Sequence, residues 1–391
     1  MALEIDGFGK NNRPLLLCFS HLRWNFVFQR PQHLLTRAAQ DRHVIYFEEP
    51  VFEPVEEPSL HIVSIQPGLR VVTPVLPQGI PAATALRIQR RQVDELVSAT
   101  PAARRLLWYY TPMALRFSRH LEHELCVYDC MDQLSAFKGA PRDLSDLEGE
   151  LFRQADIVFT GGQSLYEDKR TRHPATYLFA SSIDCGHFSR ARRKLADPAD
   201  QQTIGYPRVG FFGVIDERMD IKLVARVAKA LPHVHFVMLG PTAKIEPANL
   251  PKASNLHWLG CKFYAELPAY LANWQAGWMP FALNASTRYI SPTKTPEFLA
   301  AGLPVVSTAI VDVVRSYGAR GLVEIANAAD MPSKLAALLE GPDRGWLDRA
   351  DMLLAETSWD RTWAEMAALI EEARDVRRAP AASGGLKCSI G

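Results

Sequence analysis

Ser291-Pro-Thr-Lys-Thr-Pro-Glu-Phe-Leu-Ala-Ala-Gly-Leu-Pro304, continued by Val305-Val306-Ser307-Thr308, is the most informative stretch of this chain. It runs from a polar loop holding a lysine into a short apolar helix entered at Pro296-Glu297, then a glycine stop at Gly302 and a buried strand. First-turn N–H groups of a helix lack intrahelical partners and sit at the positive end of its dipole, so such a turn attracts anions. Lys294 adds a full positive charge to that spot. A carboxylate in the same turn, Glu297, is well placed to accept hydrogen bonds from sugar hydroxyls. The plain alternative is an ordinary loop and helix in which Glu297 only stabilises the helix start. The order of elements on either side favours the first reading, because it is that of a nucleotide-binding α/β domain.

Upstream, apolar runs of strand length recur with helical segments between them. Leu15–Phe19, Val44–Phe47, Leu106–Tyr110, Cys126–Tyr128 and Ile157–Phe159 read as strands, and 31–39, 85–98, 144–154 and 164–170 as helices. Continuous apolar strands alternating with helices predict a parallel sheet covered on both faces. Periodicity breaks across 189–207, where Arg190-Ala-Arg-Arg-Lys194 and Asp197-Pro-Ala-Asp-Gln-Gln202 read as a linker. It resumes with strands at 209–212, 234–239, 256–259, 277–279 and 305–306, and helices at 222–231, 264–273, 332–339 and 359–374. The division expected is a first doubly wound domain over 1–188, the linker, a second over 208–357, a helix over 358–378 crossing back to the first, and a mobile tail over 379–391. Two such domains leave a cleft between the carboxyl ends of their strands, where open α/β sheets bind ligands.

Composition narrows the class. With 391 residues the chain exceeds the usual size of one core. Apolar content of 48% and charged content of 22% are those of a globular protein, and 44 Lys+Arg against 43 Asp+Glu give no field for nucleic acid. The six cysteines form no C-x-x-C pair, so reduced thiols are expected and zinc is not. Met1-Ala-Leu-Glu-Ile-Asp lacks a basic start followed by an apolar run, and no apolar stretch reaches 18 residues, which predicts a cytoplasmic protein.

Val209-Gly-Phe-Phe-Gly213, Leu239-Gly-Pro241, Leu256-His-Trp-Leu-Gly260 and Ser291–Thr308 resemble, in order and spacing, the nucleotide-sugar half of GT-B glycosyltransferases of group 1, or family 4, whose members retain anomeric configuration. Phe19-Ser-His-Leu-Arg-Trp-Asn-Phe-Val-Phe-Gln-Arg-Pro-Gln-His33, Tyr128-Asp-Cys-Met-Asp132 and Ile183-Asp-Cys-Gly-His-Phe188 look like bacterial enzymes of surface-polysaccharide assembly, including the teichuronic-acid type. The resemblance covers roughly residues 14–376 and implies two Rossmann-like domains facing across a cleft. It implies a nucleoside diphosphate sugar as co-substrate, UDP before GDP by family frequency, and a glycan or lipid-linked acceptor. Glu297 would match the second glutamate of the family's Glu-x7-Glu motif, which holds the donor ribose. Tyr289 stands where the first would be, and Val214 replaces an arginine that follows the glycine of the first strand.

Breaking a sugar–phosphate bond develops negative charge on the leaving phosphate, so fixed cations are the main need. Lys294, Arg218 and Arg288 are the candidates, with N–H groups near Gly213, Thr293 and Thr295 as neutral donors. Gly240 and Cys261 close the list of nucleotide-side positions. No Asp-x-Asp stands in a loop able to hold a metal, so a metal-independent reaction with no tightly bound cofactor is expected. His21, Arg23, Asp129 and Asp132 follow strands of the first domain and could serve as base or steady the departing charge. Trp24, Phe26 and Phe28 are candidates for an acceptor wall, or for core. The cations could equally be solvated surface charges, Gly213 a plain turn glycine, the threonines and aspartates helix caps, and His21 a satisfied loop histidine. Leu86-Arg-Ile-Gln-Arg-Arg91, Arg104-Arg105 and Arg116–Arg119 offer a basic surface for peripheral contact with the inner face of an anionic plasma membrane. Rival readings are an epimerase or phosphorylase on the same architecture and a non-catalytic nucleotide- or glycan-binding partner in a synthesis complex.

Overall fold

A computed structural model describes residues 13–98 and 100–378; the tail expected over 379–391 lies outside the described residues. The first sheet is built from β1 (Leu15–Phe19), β2 (His43–Phe47), β3 (Val51–Glu53), β4 (Ser59–Gln66), β5 (Leu69–Pro77), β6 (Arg105–Tyr109), β7 (Leu125–Cys130), β8 (Ile157–Thr160) and β9 (Thr176–Leu178). Its order is β3-β5-β2-β1-β6-β7-β8-β9, all parallel, with β4 antiparallel on β5. The second is built from β10 (Arg208–Phe212), β11 (His235–Leu239), β12 (Leu256–Gly260), β13 (Ala276–Met279), β14 (Val305–Ser307) and β15 (Val323–Ile325). Its order β12-β11-β10-β13-β14-β15 is parallel throughout and reverses direction beside β10, the point at which doubly wound sheets bind ligands.

Strands buried on both faces need apolar residues at every position, which is why β1, β2 and β8 read as unbroken runs. The β4–β5 hairpin escapes the sequence reading because Pro74 and Pro77 argue against a strand there. The turn signal is nonetheless present: Pro67-Gly68 separates Gln66 from its partner Leu69, and Gly68 has φ +84°. In the second sheet the adjacent Gly210 and Gly277 leave room for rings. A Cβ on Gly210 would lie 2.1 Å from Trp274, and one on Gly277 2.6 Å from Phe298. The helix Lys294–Ala300 therefore docks through Phe298 directly onto the sheet.

Residues 189–207 carry no strand, yet Ala191 and Ile204 are buried in the second core and Arg192 donates to the carbonyls of Leu299 and Ala300. The helix Trp359–Arg378 follows the second sheet in sequence and packs on the first, where Trp359, Trp363, Met366 and Ile370 join Leu16, Trp108 and Phe159. Among the described residues no helix is long and apolar enough to cross a membrane. Much of the basic cluster is paired locally: Arg91 with Glu95, Arg116 with Asp143, Arg119 with Glu150, and Arg105 with the carbonyls of Val97 and Thr100.

Candidate active site

The carboxyl ends of β10, β11 and β12 face β7 and β8 across a cleft of about 1250 Å³, its open mouth included. The floor on the second domain is made by two glycines. Gly213 (φ +134°) and Gly240 (φ +138°) sit in the left-handed region, and their N–H groups donate to Leu239 O and Gly260 O. A Cβ on Gly213 would lie 2.2 Å from Lys294 Cε, so the lysine side chain lies across this glycine. One turn further along the same helix stands Glu297, only 9% exposed. Burial lifts its carboxyl to about 8 against the opposing pull of Lys294, and burial holds the Lys294 ammonium below its ordinary range despite Glu297. Neither side chain has a hydrogen bond or an ion pair within 4 Å among the described residues, although both face the cleft.

Arg218 enters the same space before the helix Ile221–Ala230. Asp216 fixes its guanidinium through Nε and Nη2 at 2.7–3.0 Å, and the Phe137 ring of the first domain lies 5.4 Å from it. Opposite stands Asp132, whose carboxyl is raised by burial and lowered by the charges of Arg218 and Lys294. The cleft is thus lined by Lys294, Arg218, Lys262 and Glu297 from one domain and by Asp132 and Arg30 from the other.

The remaining sequence candidates divide. Thr293 and Cys261 line the cleft. Thr295 is fully buried beneath it, with its N–H on Pro292 O and its hydroxyl on Met279 Sδ, so the neutral donors expected at Gly213 and Thr295 are already engaged. Arg288 is exposed, with its guanidinium 5.3 Å from the Tyr289 ring, and Tyr289 packs against the core of the first domain. Asp129 is 0% exposed and held by Arg30 Nε at 2.9 and 3.1 Å, behind the cleft rather than on it. His21 is lowered to about 4 by burial, with the Lys244 charge adding to the shift, and does not line the cleft. Arg23 reaches Glu48 and the carbonyls of Glu49 and Pro50, away from the cleft, while Trp24 is core and Phe28 lines the cleft. Among the described residues no three His, Cys, Asp or Glu side chains gather as a metal site.

Sequence reasoning did not single out Tyr264 or Phe137. Tyr264 stacks face to face on Phe28 (4.5 Å) and on His187 (4.2 Å), so it joins both domains and the segment between them. Its signal was a tyrosine four residues past the strand-end Gly260, which reads equally as the start of a helix.

Residues 206–341 match the group 1 glycosyl transferase family. The protein named as teichuronic acid biosynthesis glycosyltransferase TuaH of Bacillus subtilis is 27% identical over 233 residues, 55% of this chain, and the chain covers 58% of that relative's length. Sucrose-phosphate synthase from Thermosynechococcus elongatus superposes with a TM-score of 0.69 at 14% identity, over 93% of this chain and 100% of that one. HepE of Anabaena, in complex with UDP and glucose, superposes with a TM-score of 0.65 at 13% identity, over 92% and 100%. The chain therefore has the GT-B fold, and the part of it that is similar to the group 1 glycosyl transferases, residues 206–341, is the half that carries Gly213, Gly240, Lys294 and Glu297 on one side of the cleft.

Proposed function

We propose that the protein transfers a sugar from a UDP-sugar, held by its C-terminal domain, to a glycan or lipid-linked acceptor of cell-envelope or exopolysaccharide synthesis, with retention and without a metal. The observation that carries this is the pairing of Lys294 and Glu297 on one helical turn. Glu297 is buried and Lys294 half-buried, both face the cleft, and among the described residues neither side chain makes a hydrogen bond or an ion pair within 4 Å, although each feels the other's charge. Holding two ionisable groups away from solvent without hydrogen-bond partners is costly, and a bound ligand that supplies a pyrophosphate to one and a pentose diol to the other relieves that cost.

In this reading the bond between the anomeric carbon and the β-phosphate oxygen breaks as the acceptor oxygen bonds the same carbon on the same face. The acceptor proton passes to the departing phosphate oxygen. Lys294 and Arg218 stabilise the charge that grows there, and Arg218 supplies the guanidinium that Val214 does not. Asp132, across the cleft, orients the acceptor hydroxyl. The HepE complex with UDP, on the same fold, supports a uridine nucleotide. Arg87 and Arg90, exposed on the helix Ala82–Val97, are the face offered to anionic lipid.

Thermal denaturation with UDP, GDP and their sugars tests the reading, because a ligand that binds only the native state raises its melting temperature. UDP is expected to stabilise the protein, and Lys294→Ala and Glu297→Ala each to cut turnover at least tenfold, or about 1.4 kcal/mol. No stabilisation by any nucleotide, or near-normal turnover in both variants, overturns it. A second reading, a nucleotide-binding partner without transfer, is favoured by Tyr289, which packs on the first domain instead of presenting a carboxylate to the donor. Saturable UDP binding without release of sugar from any donor would select it.

A further inference from the structure

We infer that the Tyr264 hydroxyl is a second hydrogen-bonding group for the donor pentose, acting beside Glu297. The inference rests on the donor-site reading above and adds to it a residue outside the family's motifs.

The phenol oxygen is shut off from solvent and has no hydrogen-bond partner. Leaving such a group unpaired costs about 1–3 kcal/mol, so its retention calls for a partner that arrives later. The residue lines the cleft together with Glu297, and the Glu297 charge is, after burial, the strongest influence on its hydroxyl. A carboxyl group accepts through its carbonyl oxygen in either charge state and a phenol both donates and accepts, which is the set of groups a vicinal diol satisfies.

The ring is held from both faces. Phe28 stacks on one side at 4.5 Å and His187 on the other at 4.2 Å and 11°, while His187 Nε2 donates to the Tyr264 carbonyl at 2.9 Å. Phe28 belongs to the first domain. Swinging that domain back would lift Phe28 off the ring, and closing would bring it back beside a bound pentose. The sandwich fixes the ring whether or not the hydroxyl is present, so Tyr264→Phe removes one oxygen and leaves the packing.

The test compares UDP with 2′,3′-dideoxy-UDP by titration calorimetry on the full chain and on Tyr264→Phe. The wild type is expected to prefer UDP. Tyr264→Phe is expected to weaken UDP about tenfold while leaving the dideoxy nucleotide within about twofold, so that the preference shrinks. An unchanged preference in Tyr264→Phe overturns the inference and spares the donor site. Equal binding of the two nucleotides by the wild type, or none, overturns the donor-site reading and the inference with it. A merely structural role for the hydroxyl would weaken both nucleotides alike and leave their ratio untouched, which also counts against it.

Discussion

Lys294 and Glu297 sit one turn apart with opposite formal charges, yet burial pushes each toward its neutral form, and the Glu297 carboxyl stands at about 8. A pyrophosphate arriving beside them restores the ammonium of Lys294 and holds Glu297 further toward its neutral carboxyl, because its negative charge favours the protonated state of both groups. Ligand binding should then take up protons around pH 8. Linkage fixes the sign: a ligand whose complex holds more protons binds more weakly as pH rises. UDP affinity is expected to fall severalfold between pH 7 and pH 9, with calorimetric heats in buffers of unequal ionisation enthalpy reporting uptake. Lys294→Ala should lose most of this dependence, and a pH-independent affinity in the wild type would contradict it. This pair was legible in the sequence because a lysine and a glutamate three residues apart at a helix start share one face by local geometry alone. Asp132 was legible only as one of four acceptor-side candidates, and Tyr264 was not singled out. Their access to the cleft depends on which of two neighbouring carboxylates Arg30 takes, and on Phe28 arriving from far along the chain.

At the scale of elements, the site is a helix set against a glycine floor. Phe298 fills the space left by Gly277, which presses the helix Lys294–Ala300 onto β13 and carries Lys294 over Gly213. The two floor glycines differ in what surrounds them. A Cβ on Gly213 meets the flexible Lys294 side chain, whereas one on Gly240 would lie 1.8 Å from Gly213 O, a backbone atom that cannot give. Gly213→Ala is therefore expected to fold, with its circular dichroism kept, while displacing Lys294 and weakening UDP at least tenfold. Gly240→Ala is expected to destabilise the whole domain, lowering its melting temperature by more than Gly213→Ala does. Equal effects of the two on folding would break this distinction. The elements themselves were largely legible, because buried parallel strands announce themselves as unbroken apolar runs. The β4–β5 hairpin and β15 were not, since prolines mask the one and three residues are too few to show a period in the other.

At the scale of the molecule, the cleft is closed by contacts between residues far apart in sequence, and these no pattern in the sequence reveals. Asp312, 3% exposed in the second domain, accepts the Ser164 N–H at 3.1 Å and the Ser164 hydroxyl, at the start of the helix Gln163–Lys169 in the first. Gly162 admits this approach, since a Cβ there would lie 2.6 Å from Asp312 Oδ2 and 2.8 Å from Ser291, the residue that opens the Lys294 loop. Arg315 pairs with Glu167 alongside, and across the cleft Phe137 lies between the cations of Arg218 and Lys244 at 5.4 and 5.1 Å. In sequence Asp312 reads as an ordinary first-turn acid of a short helix. Removing one partner of a buried charged hydrogen bond costs about 1.5–3 kcal/mol, enough to shift a two-domain equilibrium toward the open form more than tenfold. Asp312→Ala is expected to raise the radius of gyration in solution scattering. If the protein acts as proposed, the variant should lose at least tenfold in turnover, with UDP affinity within about threefold of normal. The groups proposed to hold the donor, Lys294, Glu297 and Gly213, all lie on one domain, whereas Asp132 lines the cleft from the other. Ser164→Ala, which keeps the backbone bond to Asp312, should show a smaller effect in the same direction. An Asp312→Ala protein with wild-type scattering and turnover would mean that the domains are held together elsewhere.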